Sequence, residues 1–211
     1  MSALRLGVLV SGSGSNLQAI LDKCASGELP AAVTVVVSDK ADAFALERAA
    51  RARVSAVHIN RKDFESAASF NEEIARILIE HGVELVIMAG YMRLLGKEVL
   101  DAFPNRVFNL HPALLPSFPG AHGIVDALDF GVKVTGVTVH FASDVFDDGP
   151  IILQEAVPVN DDDNEESLAA RIHAVEHCVL PQAIKLFAEG RLAIEGRRVR
   201  VLPEKDKSVI P

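Results

Sequence analysis

The chain has 211 residues, 49% of them hydrophobic and 24% charged, with one Tyr, no Trp and a net charge of −8. That length suits one substantial domain or two small lobes, with a core of aliphatic side chains. The acidic balance excludes a general affinity for nucleic acid or acidic membranes, so an anionic ligand must be held by a local site.

No apolar run approaches the ~20 residues needed to span a bilayer. The N-terminus runs straight into a strand without the basic, apolar and cleavage segments of a signal peptide. Cys24 and Cys178, far apart, read as reduced structural thiols of a cytoplasmic protein. No heptad or flat apolar face stands out, which leaves monomer and homodimer both open.

Leu4 to Ser11 is a nearly continuous apolar run, as expected of a strand buried on both faces. Gly12-Ser13-Gly14-Ser15-Asn16 follows, then a helix whose apolar stripe is Leu17, Ile20, Leu21 and Cys24, with Gly27 at its end. Ala31–Ser38 reads as a second strand, Asp42–Arg53 as a helix and Ala56–Ile59 as a short third strand. Asp63–His81 reads as a longer helix that Gly82 stops. Val83–Ala89 is a fourth strand, Lys97–Phe103 a short helix and Arg106–Leu110 a fifth strand. This alternation argues for a Rossmann-like α/β fold, a mostly parallel twisted sheet with helices on both faces.

The pattern changes after Gly120. His122–Phe130 reads as a helix. Val132–Phe141 and Pro150–Val159 read as strands antiparallel to each other, joined by the acidic loop Ala142–Gly149. Asp161-Asp162-Asp163-Asn164 opens the last long helix, with Asn164 as N-cap and the acidic run at the positive end of the helix dipole. Pro181 is expected to kink or split that helix, and Gly190 to end it. Leu192–Glu195 and Arg198–Leu202 form a terminal hairpin, and Pro203–Pro211 a frayed tail. One domain over 1–202 results, divisible into halves at 1–103 and 104–202.

Three stretches carry chemistry. In Phe108-Asn109-Leu110-His111-Pro112, strand alternation puts Asn109 and His111 on one side, about 7 Å apart. Pro112 keeps His111 extended. An amide donor beside an imidazole at the carboxyl end of a strand is what acyl transfer to an amine needs: a group to stabilise an oxyanion and a group to move a proton. A rigid turn with a satisfied histidine is the plainer reading. The glycine loop after the first strand is a ready anion site. It lacks the third glycine of a dinucleotide fingerprint, which Leu17 replaces, although Asp39 after the second strand is the acid such a site would use. It also lacks the lysine of a P-loop. It suits one phosphate, with Ser13, Ser15 and Asn16 adding donors, or is simply a tight turn. The acidic loop Ser143–Pro150 is either a solvated turn or the source of a carboxylate, Asp147 just ahead of the Gly-Pro turn, that would favour an imidazolium at His111. Tyr91–Gly96 offers apolar groups and backbone donors to a flat heteroaromatic ring, or is ordinary core.

Taken together, Ser11–Gln18 (SGSGSNLQ), Met88–Leu95 (MAGYMRLL), Asn109–Gly120 (NLHPALLPSFPG), Gly136–Phe141 (GVTVHF), Asp147–Pro150 (DDGP) and Glu176-His177 give a chain that resembles the phosphoribosylglycinamide formyltransferase family. The resemblance runs from about Leu4 to Leu192. It implies transfer of the formyl group of 10-formyltetrahydrofolate to glycinamide ribonucleotide in purine synthesis. It implies Asn109, His111 and Asp147 as catalytic, Gly14, Ser15, Asn16 and Glu176 as ribonucleotide ligands, and no metal. It implies a folate site of Arg61, Met92, Arg93, Leu94, Leu95, Asn109, Ser143, Asp144, Val145, Phe146 and Asp147. It makes 1–103 the phosphate-binding half and 104–202 the folate and catalytic half. Ala113 stands where many relatives carry Ser, and Thr138 where Ser or Cys is common. A zinc site from His111, His122 and His140 lacks ligand spacing. His122 and His140 read as supporting or structural residues.

Three other readings compete. A formyltetrahydrofolate deformylase would use water in place of the amine and is expected to carry a regulatory domain before the first strand. A methionyl-tRNA formyltransferase is expected to add a C-terminal domain and a basic face. A non-enzymatic nucleotide-binding module would need the glycine loop alone.

Overall fold

The computed structural model describes residues 3–204. Nine strands form one sheet in the order β3-β2-β1-β4-β5-β6-β7-β9-β8. The strands are β1 (Leu4–Val10), β2 (Ala31–Ser38), β3 (Ser55–His58), β4 (Leu85–Met88), β5 (Val107–His111), β6 (Val134–Phe141), β7 (Ile151–Pro158), β8 (Leu192–Glu195) and β9 (Arg198–Val201). β1 to β5 pair in parallel, β6 runs antiparallel to β5, and β7 antiparallel to β6. The β8/β9 hairpin is antiparallel and joins β7 at Ile151 and Arg198. The mostly parallel sheet with an antiparallel C-terminal side is the one expected from the alternating pattern. Of the tail, residues 205–211 lie outside the described residues.

Alternation along each central strand feeds two cores. Leu6, Val8 and Ile87 face the cluster built by α1 (Ser15–Ala25), α2 (Phe44–Arg51) and α6 (Glu165–Ala188). Leu9, Val86 and Met88 face the cluster built by α3 (Ala67–Glu80) and α4 (Lys97–Ala102). α5 (Gly123–Phe130) packs against α6. Helices on both faces explain why the early strands read as apolar runs rather than as alternating ones. Phe108 is fully buried and meets Phe141 and Phe187 edge-on, at 5.1 and 5.5 Å between ring centroids. Burying such a ring contributes about 1.5–3 kcal/mol. With Phe108 and Leu110 in one core, β5 turns Asn109 and His111 to the other side.

Two expectations need correction. The helix read as starting at Asp63 starts at Ala67. Residues 61–63 form a 3-10 turn capped by Asn60, and Ser66 caps α3 through a reciprocal pair with Ser69. The polar stretch before Ser66 is thus a separate turn. Pro181 does not split the last helix: α6 continues to Ala188, because Val179, Leu180, Pro181, Ala183 and Ile184 are all buried on it. Packing on both sides of the proline outweighs the one backbone hydrogen bond it removes. Asn164 caps α6 as expected, its side chain accepting from the Ser167 amide. Asp163 does more than face the dipole. It is held by Arg171, Ser167 and the Asn160 amide, with its carboxyl well below the usual range chiefly because of Arg171.

Candidate active site

β1 and β4 are neighbours in the sheet, and their connections leave to opposite sides, β1 toward β2 and β4 toward β5. The carboxyl edge of such a switch point is where α/β sheets hold ligands. A cavity of about 790 Å³ opens there. The loops after β1, β4 and β5 line it, with the loop after β6 and the first turns of α6.

Asn109, His111 and Asp147 converge on this cavity. Asn109 Nδ2 donates to Asp147 Oδ1 at 3.0 Å and to His140 Nε2 at 3.0 Å. His111 Nδ1 lies 3.4 Å from Asp147 Oδ2, and the Gly120 amide donates to that same oxygen at 2.7 Å. The Asp147 side chain is only 5% exposed. Burial by itself pushes its carboxyl up. The hydrogen bonds it accepts, that of the Gly120 amide among them, and the nearby imidazole of His111 outweigh that and hold it below the usual range, so it is a carboxylate at neutral pH.

His111 Nε2 meets the Phe118 carbonyl at 2.7 Å. A carbonyl only accepts, so Nε2 carries a hydrogen, and a proton on Nδ1 makes the contact with Asp147 attractive. The two residues that grip the ring both have left-handed backbones, Phe118 at φ 53° and Asp147 at φ 52°. For a bulky Phe this is uncommon and strained, and such strain collects at functional sites. His140 is oriented in the same way: Nδ1 donates to the Phe141 carbonyl at 2.8 Å, leaving Nε2 to accept from Asn109.

The glycine loop forms the other end of the cavity. Gly14 precedes α1 in a left-handed conformation at φ 71°, and no side chain caps the helix. The first backbone N–H groups of α1 therefore have no partner within the helix. A Cβ on Gly14 would lie 2.6 Å from Ala45 Cβ, so this close approach also requires glycine. Arg48 from α2 braces the loop by donating to the Ser13 carbonyl at 2.8 Å. The Asn16 side chain turns away from the loop: its Nδ2 donates to Glu176 Oε2 at 2.8 Å, and its buried Oδ1 has no partner. His173 Nδ1 donates to the same Glu176 oxygen at 2.8 Å. Glu176 is 4% exposed yet lines the cavity, and among the described residues its Oε1 has no hydrogen-bond donor.

Met92, Arg93, Leu94 and Leu95 line the wall after β4, with Met92 63% exposed. Ser143, Val145 and Phe146 line the wall after β6. Asp144 and Arg61 do not line the cavity. Arg61 lies beyond the end of β3 and donates to the Phe64 carbonyl at 2.9 Å. His122 lines the cavity at the start of α5. Among the described residues no group of three or more His, Cys, Asp or Glu is placed to hold a metal ion.

Sequence reasoning left His140 as a supporting residue. Its place against both Asn109 and Asp147 follows from the antiparallel register of β5 and β6, which sets Asn109 opposite His140. The alternation of Val132–Phe141 marked a strand and its pairing with Pro150–Val159, but nothing local placed its other edge against β5. His173 was also missed. The signal was present, since residues 173 and 176 lie one helical turn apart on one face.

A formyl transferase family model matches residues 4–184. The chain is similar to phosphoribosylglycinamide formyltransferase from Escherichia coli (strain K12), 40% identical over 185 residues, 88% of this chain and 87% of that protein. The enzyme of that name from Mycobacterium tuberculosis (strain CDC 1551 / Oshkosh) is 43% identical over 203 residues, 93% of this chain and 94% of that one. The crystal structure of glycinamide ribonucleotide transformylase 1 from Symbiobacterium toebii superposes with a TM-score of 0.94 at 55% identity, covering 96% and 95% of the two chains. A formyltetrahydrofolate deformylase from Pseudomonas syringae shares the scaffold at a TM-score of 0.88 but 25% identity, and this chain spans 66% of it. With the match running through the strands and loops that build the cavity, this chain belongs to the formyl transferase family.

Proposed function

We propose that the protein transfers the formyl group of 10-formyltetrahydrofolate to the primary amine of glycinamide ribonucleotide, giving formylglycinamide ribonucleotide and tetrahydrofolate in purine synthesis. The observation that carries this is one cavity lined both by an uncapped helix terminus with a buried carboxylate, Glu176, and by an amide–imidazole–carboxylate cluster. A deformylase needs only the second. No helix among the described residues is long and apolar enough to cross a membrane.

In this reading the backbone N–H groups of Gly14, Ser15 and Asn16 hold the phosphate. Glu176 Oε1 takes a hydroxyl or the glycinamide end of the ribonucleotide. Met92 to Leu95 and Ser143 to Phe146 enclose the folate ring. Arg61 and Asp144, outside the cavity, serve the glutamate tail.

The amine attacks the formyl carbon, forming a C–N bond and an oxyanion. Collapse breaks the bond to folate N10. One proton leaves the amine and one reaches N10. Asn109 commits both amide hydrogens, to Asp147 and to His140. To serve the oxyanion it exchanges one of them, and the bond to His140 is the one to yield because a neutral ring nitrogen attracts the donor less than a carboxylate. His111 likewise exchanges the Phe118 carbonyl for substrate, while Asp147 balances its charge. The transfer is direct. Neither cysteine lines the cavity, and burial pushes the Cys24 thiol up to about 11, away from the thiolate.

The test is folate deformylation followed optically with and without glycinamide ribonucleotide. Consumption only with the ribonucleotide is the expected result. Equal consumption with water alone makes the protein a deformylase. No reaction with either, by folded protein, leaves a binding module.

A further inference from the structure

Asp39 stands at the end of β2, where a dinucleotide-binding sheet keeps its ribose ligand. Here it cannot play that part, because both carboxylate oxygens are used inside the protein. Oδ1 accepts the Ser11 hydroxyl at 2.7 Å, and Oδ2 accepts Arg93 Nε at 2.6 Å. The side chain is 2% exposed. Ser11 extends the link. Its Oγ accepts the Met92 amide at 3.0 Å, and its own amide donates to the Gly90 carbonyl at 3.0 Å.

Ser11 leads directly into the glycine loop, and residues 90–93 form the adjoining wall of the cavity. A buried carboxylate thus joins two loops at the switch point through hydrogen bonds to both. We propose that Asp39 is a positioning residue that couples the two substrate loops, so that ribonucleotide on the glycine loop tightens folate binding on the 90–95 loop and the reverse. The proposal rests on the assignment of those loops to the two substrates. Its physical basis is that ordering either loop orders Ser11 and Arg93 around one carboxylate, and the second ligand then meets a loop already held.

The test uses tetrahydrofolate, which carries no formyl group and cannot react, as the probe. Its dissociation constant is measured by calorimetry with and without saturating glycinamide ribonucleotide. In the unaltered protein the ribonucleotide is expected to tighten tetrahydrofolate by about fivefold or more. Asp39→Asn keeps an acceptor for Ser11 but turns an amide donor toward the Arg93 donor. It is expected to weaken tetrahydrofolate alone and to bring the ratio close to one. Ser11→Ala keeps the Asp39–Arg93 pair and cuts the link to Met92, and is expected to lose the ratio with a smaller effect on tetrahydrofolate alone. It decides the matter should Asp39→Asn fail to fold. A residue that only supports the fold would lower the melting temperature and leave the ratio intact. An unchanged ratio in the variants, or no coupling in the unaltered protein, overturns the proposal while the substrate assignment stands. If neither ligand binds the unaltered protein, the assignment falls and the proposal with it.

Discussion

Asp147 reaches from the loop after β6 to accept the Asn109 amide at 3.0 Å, and so orients an amide on β5 with a carboxylate 38 residues away in sequence. Its other oxygen faces His111. One carboxylate therefore sets both an amide and an imidazole. Asp147→Asn keeps the size and can still accept from Asn109, but cannot balance an imidazolium. Turnover is expected to fall by about 10²-fold or more, with a displaced pH–rate profile. Steady-state rates across pH check this, and an unchanged profile would reduce the loop to a turn.

Asn109→Ala and His111→Ala are each expected to lower turnover by about 10² or more. Each also leaves the largely buried Asp147 carboxylate short of a partner, which costs about 1–3 kcal/mol of stability. The measurement is kcat beside a denaturant midpoint. Normal turnover in either variant removes the proposed mechanism, whatever happens to the midpoint.

These residues were legible in the sequence to different degrees. Asn109 and His111 could be placed on one side because they sit two apart on one strand. Asn164 could be named as a cap because its signal is local. His140 could not be placed beside Asn109, because that adjacency is a matter of strand register rather than of sequence distance. The partners of Asp39 could not be read for the same reason. Its Arg93 partner lies 54 residues on, and only the adjacency of the β1, β2 and β4 ends brings them together. Pro181 obeyed its packing rather than its propensity. Local chemistry was readable, and contacts set by sheet order were not.

Gly14→Ala tests the phosphate end. The new methyl would fall 2.6 Å from Ala45 Cβ and 2.9 Å from Ala45 Cα, at a φ of 71° that alanine resists. The loop must shift, at a cost of about 1–3 kcal/mol. KM for the ribonucleotide is expected to rise by about tenfold or more, with a smaller change in KM for the folate. Equal rises in both would mean that the loop supports the whole site rather than the phosphate.

His173 gives the site a pH signature. Its hydrogen bond to Glu176 lifts it above the ordinary 6.5, with burial opposing and the carboxylate's charge assisting. A base raised in the folded state contributes stability that is fully present below its unfolded value and is lost as pH rises through the raised one. His177 works the other way. Burial pushes it down, so it destabilises the fold as pH falls. The two are separated by comparing the unaltered protein with His173→Gln, which keeps a donor for Glu176 but cannot ionise. The melting-temperature advantage of the unaltered protein is expected to be largest near pH 5 and to fade by about pH 9. Because Glu176 Oε2 is shared by His173 and Asn16, the same titration should appear in KM for the ribonucleotide and be absent from the variant. A difference that does not vary with pH would show that His173 acts only as a neutral hydrogen-bond donor.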